Sequence, residues 1–162
     1  MSSLPHPPYH HGPQGPSQGC PLPHTSPSRI ALIETEQATL WLYPDAGILH
    51  HKIHRPVPHR QLQDLLAASL EHRERCQAVK WLFDDRESAR VGETLTLWAR
   101  FARQASLKWW AIVLPTSTIG KMQLIRFVEE SLPLGALVKS FPNDDEALRW
   151  LESLDRDEPA GG

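Results

Sequence analysis

Three short and almost uninterrupted apolar runs, at residues 78–83, 109–114 and 136–141, constrain the fold of this chain more than any other feature. Runs of this length are typical of strands that are covered on both faces of a sheet. Between them, residues 93–104 and 121–131 carry apolar side chains at helical spacing. Strands that alternate with helices predict parallel strands joined by right-handed crossovers, with the helices packed on the sheet.

The residues before the first apolar run predict a hairpin and a helix. Strands are expected at residues 30–34, 38–43 and 48–55, and residues 44–47 have the composition of a turn. Two prolines end this region, and residues 59–73 then place four leucines on one helical stripe. The predicted order is therefore three strands, a helix, and then three further strands, each followed by a helix.

The last two helices are marked by an apolar stripe and by a capping pattern. Met122, Ile125 and Val128 form the stripe of the helix that precedes the last apolar run. Asn143, followed three residues later by Glu146, has the spacing of a capping box at the start of the final helix. Together these elements predict an α/β domain with a mixed sheet and about four helices over residues 29–154.

Composition distinguishes this domain from its flanks. Residues 1–28 contain eight of the 15 prolines, four of the nine histidines and no charged residue, so we expect a disordered tail. Residues 155–162 are expected to form a short flexible tail. The net charge of −2 argues against nucleic acid as a partner, and the longest apolar runs are too short to insert into a membrane. Only two cysteines occur, and a cytoplasmic protein is expected.

Asp84, Asp85 and Arg86 follow the first apolar run, at the end of a predicted parallel strand where ligands and reacting groups collect in open α/β sheets. The two carboxylates are suited to hold a magnesium ion, to act as acid and base, or to present negative charge to a partner. A local structural role is the alternative, in which one aspartate caps the next turn and Arg86 neutralises the other.

The segment at residues 115–121 links a buried strand to a helix, so its free amides, hydroxyls and the Lys121 ammonium are suited to bind an anion. It includes Gly120 but does not match the nucleotide-binding P-loop, because Met122 stands where that loop has a serine or threonine. Capping of the helix by Ser117 or Thr118 explains the hydroxyls equally well.

The remaining candidate groups favour structural roles. His50 and His54 share a strand face but stand roughly 13 Å apart, too far to chelate one zinc ion directly. No GxSxG nucleophile motif occurs, and Cys76 is expected to be a partly buried residue near the start of a strand. The sequence therefore predicts no catalytic residue, metal or cofactor.

Several short motifs, in order, resemble the bacterial SpoIIAA-like small proteins that are also described as STAS/SEC14 proteins. The motifs are the run Trp81–Arg86, the run Ala111–Pro115, the triplet Gly120–Met122, and Phe141 with a closing helix that contains Glu146, Ala147, Trp150 and Leu151. The resemblance implies a STAS-type sheet and a role as an interaction module. Related anti-sigma-factor antagonists are switched by phosphorylation of a serine after a strand-end aspartate. Asp85 occupies that place here, so the resemblance implies that the switch is absent or permanently mimicked.

Three hypotheses on function follow. The leading one is a non-enzymatic regulatory or scaffolding module that binds an unidentified protein through Asp84, Asp85, Arg86, Gly120 and Lys121. A homodimer through a hydrophobic edge or face, which the sequence does not locate, is a further partner hypothesis. The alternative is a sensor of a small anionic ligand, a nucleotide or a lipid, with Lys121 and Arg86 as its cations. The third is an enzyme that uses Asp84 or Asp85 as acid or base.

Overall fold

The computed structural model describes residues 28–86, 91–132 and 135–155, and of residues 91–93 it describes the backbone alone. The six strands and four helices in these ranges follow the predicted order: β1 (Ile30–Glu34), β2 (Ala38–Tyr43), β3 (Ile48–Ile53), α1 (His59–Cys76), β4 (Lys80–Asp84), α2 (Val91–Ala105), β5 (Trp109–Val113), α3 (Thr118–Ser131), β6 (Leu137–Phe141) and α4 (Asp144–Ser153). The predicted α/β class is confirmed. Apart from Ser28 and Asp155, the tails predicted at residues 1–28 and 155–162 lie outside the described residues.

The strands form one mixed sheet in the order β1-β2-β3-β4-β5-β6. The first three are antiparallel neighbours, whereas β3 to β6 are parallel. The predicted hairpin joins β2 to β3, and Gly47 in its turn has a φ of 68°, a backbone conformation that favours glycine. Each parallel crossover advances one strand in the same direction, so right-handed connections place α1, α2 and α3 on one face of the sheet. The last helix, α4, packs on the other face against β4, β5 and β6.

Aromatic side chains fill the core between the sheet and the three crossover helices. Trp81 lies at its centre, 5.0 Å between ring centroids from Trp110 and 5.3 Å from Phe101. Phe127 of α3 stacks on Trp110 at 6.2 Å, which anchors that helix to β5. Because successive side chains of a strand alternate between faces, Trp109 points to the opposite side and packs beneath α4.

Several predicted bounds differ from those in the structure, and two of the differences change the functional interpretation. The first apolar run enters the strand only at Lys80, because Ala78 donates its amide hydrogen to the carbonyl of Arg73 and so completes the end of α1. Cys76 is therefore the last residue of α1, and Asp84 is the last residue of β4. The helix α3 begins at Thr118, which places Gly120 and Lys121 inside its first turns.

In the described part of the chain, no helix has both the length and the hydropathy needed to cross a lipid bilayer.

Candidate functional site

The carboxylate of Asp84, at the end of β4, is buried and held by Arg86. Arg86 donates to it from Nε at 3.0 Å, from Nη2 at 2.7 Å and from its backbone amide at 3.2 Å. The Asp84 side chain is 2% exposed, whereas that of Arg86 is 28% exposed. Charge-assisted, two-pronged pairing of this kind fixes both side chains in one geometry. The bonding thus matches the local role, in which Arg86 neutralises an aspartate.

The first turn of α4 brings Asp144 to the same edge of the sheet. Its carboxylate lies 3.3 Å from Lys52 Nζ and 3.6 Å from Arg86 Nη2. Partial burial opposes ionisation of Asp144, but the adjacent Lys52 ammonium and the Arg86 guanidinium outweigh it and hold the pKa of the carboxyl below its usual range. We call Lys52, Asp84, Arg86 and Asp144 the strand-end ion cluster. Its two cations and two anions balance, and it ties α4 to the ends of β3 and β4.

His50 lies near this cluster, on the same face of the sheet. Its side chain is buried, and neither ring nitrogen has a hydrogen-bond partner among the described residues. The ring contacts Trp41, at 4.8 Å between centroids, and stacks on Tyr43 at 6.3 Å. Burial lowers the pKa of His50 to about 4, although the negative charges of Asp144 and Asp84 act in the opposite direction. A neutral imidazole at this position is therefore required by the fold near neutral pH.

His51 faces the opposite side of the sheet and has a complete set of partners. Trp81 Nε1 donates to its Nδ1 at 2.8 Å, so the ring hydrogen resides on Nε2 and is donated to Ser69 Oγ at 2.7 Å. The Ser69 hydroxyl in turn donates to the carbonyl of Leu65 at 2.8 Å. Complete burial lowers the pKa of His51 to about 3. This chain of bonds is structural, which is the role that the sequence favours for the histidines.

The start of α3 is closed by its own cap. Ser117 Oγ accepts the Gly120 amide hydrogen at 3.0 Å, so capping by Ser117 is confirmed. A Cβ atom at Gly120 would stand 2.8 Å from Ser117 Oγ and 3.0 Å from Pro115 Cγ, which explains the glycine. The Lys121 side chain is exposed to solvent. The amide of Gly120, which belongs to the expected anion site, therefore already has a hydrogen-bond partner.

Of the apolar stripe predicted for α3, Val128 packs against the core, but Met122 and Ile125 do not. Leu124 and Phe127 face the sheet, while Met122 and Ile125 are 64% and 53% exposed. Ile119 is also 71% exposed. The exposed set Ile119, Met122 and Ile125, spaced one per turn, is called the α3 face below. Aromatic packing of Phe127 on β5 fixes this rotation of the helix, which leaves a second apolar surface in solvent.

The predicted site residues are thus divided between two places. Asp84 and Arg86 join the strand-end ion cluster, and the adjacent Asp85 is 5% exposed. Gly120 and Lys121 follow the neighbouring strand β5, where Gly120 bonds within its own turn.

The chain matches no model of a protein family, no curated protein and no solved structure. The functional assignment therefore depends on the geometry of the described residues.

Sequence reasoning missed three members of this region: His50, Lys52 and Asp144. The signal for Lys52 was available, because the parallel pairing of β3 with β4 sets Lys52 directly beside Asp84. The contacts of Asp144 depend on how α4 folds back over the sheet, which the local sequence does not show. Among the described residues, no group of three or more histidine, cysteine, aspartate or glutamate side chains is placed to hold a metal ion.

Proposed function

We propose that this protein is a non-enzymatic, regulatory or scaffolding protein-interaction module, and that it docks its partner on the α3 face. The supporting observation is the exposure of three large apolar side chains, Ile119, Met122 and Ile125, on consecutive turns of one helix. Contiguous apolar surface of this kind on a monomer is characteristic of contact sites for other proteins. An amphipathic helix face or a groove on the partner is the kind of surface that fits such a ridge.

The strand-end residues support this choice of surface by their internal bonding. Asp84 is enclosed and paired with Arg86, which also contacts Asp144. A partner that bound Arg86 or Asp84 would have to compete with a charge-assisted bond at 2.7 Å. Among the described residues Lys121 has no such bond, and it stands beside the apolar ridge. The docking surface proposed from the sequence is therefore shifted from the strand ends onto α3.

The resemblance to the SpoIIAA-like and STAS proteins is also kept as a proposal. It places the chain among bacterial cytoplasmic interaction modules, and the mixed sheet with helices on both faces is compatible with it. Asp85 stands at the place of the regulated serine in that resemblance, and its side chain is buried. We therefore propose that partner binding here does not depend on phosphorylation at this position.

Site-specific photocrosslinking tests the docking surface. A photoreactive residue at Met122 should form a defined protein adduct in extract of the source cells, whereas the same residue at the exposed Arg60 of α1 should not. The captured partner is then purified, and its Kd is measured against Ile119→Glu and Ile125→Glu variants. Loss of one buried isoleucine contact, about 1.5–3 kcal/mol, should raise the Kd by roughly tenfold or more.

Equal adducts at Met122 and Arg60, or a Kd that is insensitive to both glutamate substitutions, would contradict the proposal. Both isoleucines are more than half exposed, so the glutamate variants should fold normally. Circular dichroism and thermal unfolding check this directly.

A further inference from the structure

The strand β1 forms one edge of the sheet, and in the described part of the chain it pairs with β2 alone. Alternate residues of an edge strand direct their backbone N–H and C=O groups away from the sheet, where no strand bonds them. Edge strands are commonly protected against further pairing by lysine or proline. The opposite edge strand, β6, contains Lys139, whereas β1 contains neither residue type. The outer edge of β1 is therefore suited to accept another strand.

An apolar cavity lies beside this edge, between β1 and the start of α1. Its volume is about 280 Å³, and its apolar walls come from Ile33, Ala38, Val57 and Leu65. Sites for whole small molecules usually occupy roughly 300 to 1,000 Å³, so this cavity is better matched to one or two side chains. We call the cavity and the adjoining edge of β1 the β1–α1 groove.

Hydrogen bonds hold the walls of the β1–α1 groove together. The Thr35 hydroxyl donates to the carbonyl of Ala38 at 3.0 Å, which fixes the turn between β1 and β2. In that turn, the carbonyl of Gln37 accepts the His54 amide hydrogen at 2.7 Å, which ties the segment leading to Val57 to the same turn. The groove is thus formed in the free chain, and this lowers the ordering cost of binding.

The lining of the groove carries negative charge. Among the described residues that line it, one is charged, the acidic Asp64 of α1. Asp64 is exposed and takes no part in the ion pairs of the described residues. A basic group on a partner is therefore complementary to the groove, and an acidic group is not.

We propose that the β1–α1 groove binds a short extended segment of a partner protein, which adds to the sheet beside β1. Side chains of the added strand alternate between faces, so every second one points toward α1. An apolar side chain at one such position enters the cavity, and a lysine or arginine two residues away reaches Asp64. Main-chain hydrogen bonds then supply affinity, and the cavity supplies specificity.

The position of the groove sets the length of the segment and separates it from the α3 face. The register of β1 on β2 shifts between Ala31 and Ile33, so the regular part of the edge is short and only a few residues of the partner pair with it. The helix α3 packs on β5, toward the other end of the sheet. This second binding site thus goes beyond the proposed function and does not depend on it.

Selection of short random peptides displayed on phage, with the full chain as bait, tests the proposal. The selected peptides should share an apolar residue and a basic residue two positions away from it. In anisotropy titrations of a labelled synthetic copy, alanine in place of the apolar residue should raise the Kd roughly tenfold or more, because one buried side chain is lost. Backbone amide NMR shifts of the chain should change at Ile33 and Glu34 and not on the α3 face.

Methylation of the peptide amides, one at a time, distinguishes strand addition from other binding modes. Along an added strand every second amide points toward β1, so methylation should weaken binding at alternate positions. A peptide that binds as a helix, or through its side chains alone, should show no period of two.

Asp64→Lys tests the charge preference at an exposed position, where the fold should be retained by circular dichroism. The variant should raise the Kd of the lysine-containing peptide roughly fivefold. It should also lower the Kd of the same peptide with glutamate in place of that lysine. Gln63→Lys adds the same charge at the preceding exposed residue, outside the groove lining, and should change both Kd values far less.

Three results would overturn the proposal: no enriched peptide, a methylation profile without a period of two, or equal effects of Asp64→Lys and Gln63→Lys. A full chain that dimerises, and that the selected peptide dissociates, would identify β1 of a second copy as the occupant and would also overturn it. The proposed function is judged separately, because Asp64→Lys should leave photocrosslinking at Met122 unchanged.

Discussion

Acidification from pH 7 to pH 5 should destabilise this protein by about 4 kcal/mol, because two buried histidines must stay neutral in the folded state. His50 and His51 have folded pKa values of about 4 and about 3, against an ordinary value of 6.5. Below pH 6.5 the unfolded chain takes up two protons that the folded chain excludes. The contribution of the two histidines to the free energy of unfolding is therefore complete above pH 7. It decreases as the pH is lowered, until the pH reaches the folded pKa values.

The magnitude follows from proton linkage. At pH 5 an unfolded histidine lies about 1.5 pH units below its pKa, and each unit is worth about 1.4 kcal/mol, which gives about 2 kcal/mol per residue. Neither imidazole has a hydrogen-bond acceptor that would stabilise its protonated, charged form. His50 has no described hydrogen-bond partner, and His51 already uses both ring nitrogens. The slope between pH 6 and pH 5 should approach two protons.

Urea unfolding followed by tryptophan fluorescence at pH 7, 6 and 5 measures this loss. In His50→Leu the loss should halve to about 2 kcal/mol, since one of the two linked protons is removed. His59→Gln, at an exposed residue at the start of α1, should retain the full loss and serves as the control. A wild-type stability that is flat from pH 7 to pH 5, or a His50→Leu variant with the full loss, would refute the assignment of neutral buried imidazoles.

Three further substitutions test individual contacts by urea unfolding at pH 7. Arg86→Leu should cost about 3 kcal/mol, because it leaves the enclosed carboxylate of Asp84 without its charged partner. Ser69→Ala should cost about 1–3 kcal/mol, because the Nε2 hydrogen of His51 then has no acceptor in the core. Gly120→Ala should cost about 1–2 kcal/mol, because the new Cβ displaces the hydroxyl that caps α3.

Each of these has a matched comparison. Lys52→Met removes a half-buried cation of the strand-end ion cluster and should cost less than Arg86→Leu. Ser153→Ala removes a similar serine bond to a helix carbonyl at an exposed position, and it should cost well under 1 kcal/mol. Gly120→Ala should cost less in a Ser117→Ala background than in the wild type, because the closest clash is gone and only the contacts with Pro115 remain. Equal losses within any of these pairs would contradict the corresponding contact.

Much of the fold could be predicted because its determinants are local in the sequence. The unbroken run at β5, which is apolar throughout, gives a strand that is buried on both faces, and the alternation with helices then dictates parallel pairing. The bounds of β1 and β2 also agree with the prediction. Helix ends were less well predicted. Gln77 ends α1 in a left-handed conformation, at φ 49°, which a non-glycine residue does not signal in a sequence.

The candidate site could be predicted only in part, since its geometry depends on contacts between distant segments. The pairing of Asp84 with Arg86 spans two residues and was available as an alternative from the sequence. The contact of Lys52 with Asp144 spans 92 residues and requires α4 to return across the sheet. The burial of Met122 and Ile125 was predicted wrongly because two apolar stripes compete on α3, and only the aromatic packing of Phe127 decides between them.

The presence of two apolar stripes on α3 is also the best guide to function. On α3, Leu124 and Phe127 already supply the surface that the sheet needs, so the fold would be equally stable with polar residues in place of the exposed Ile119, Met122 and Ile125. The strand-end ion cluster is the opposite case, because each of its charges compensates another and none is dispensable to the fold. Side chains that the fold requires do not by themselves indicate a partner. Apolar side chains that the fold does not require, exposed on consecutive turns of one helix, indicate a surface shaped by contact with another chain.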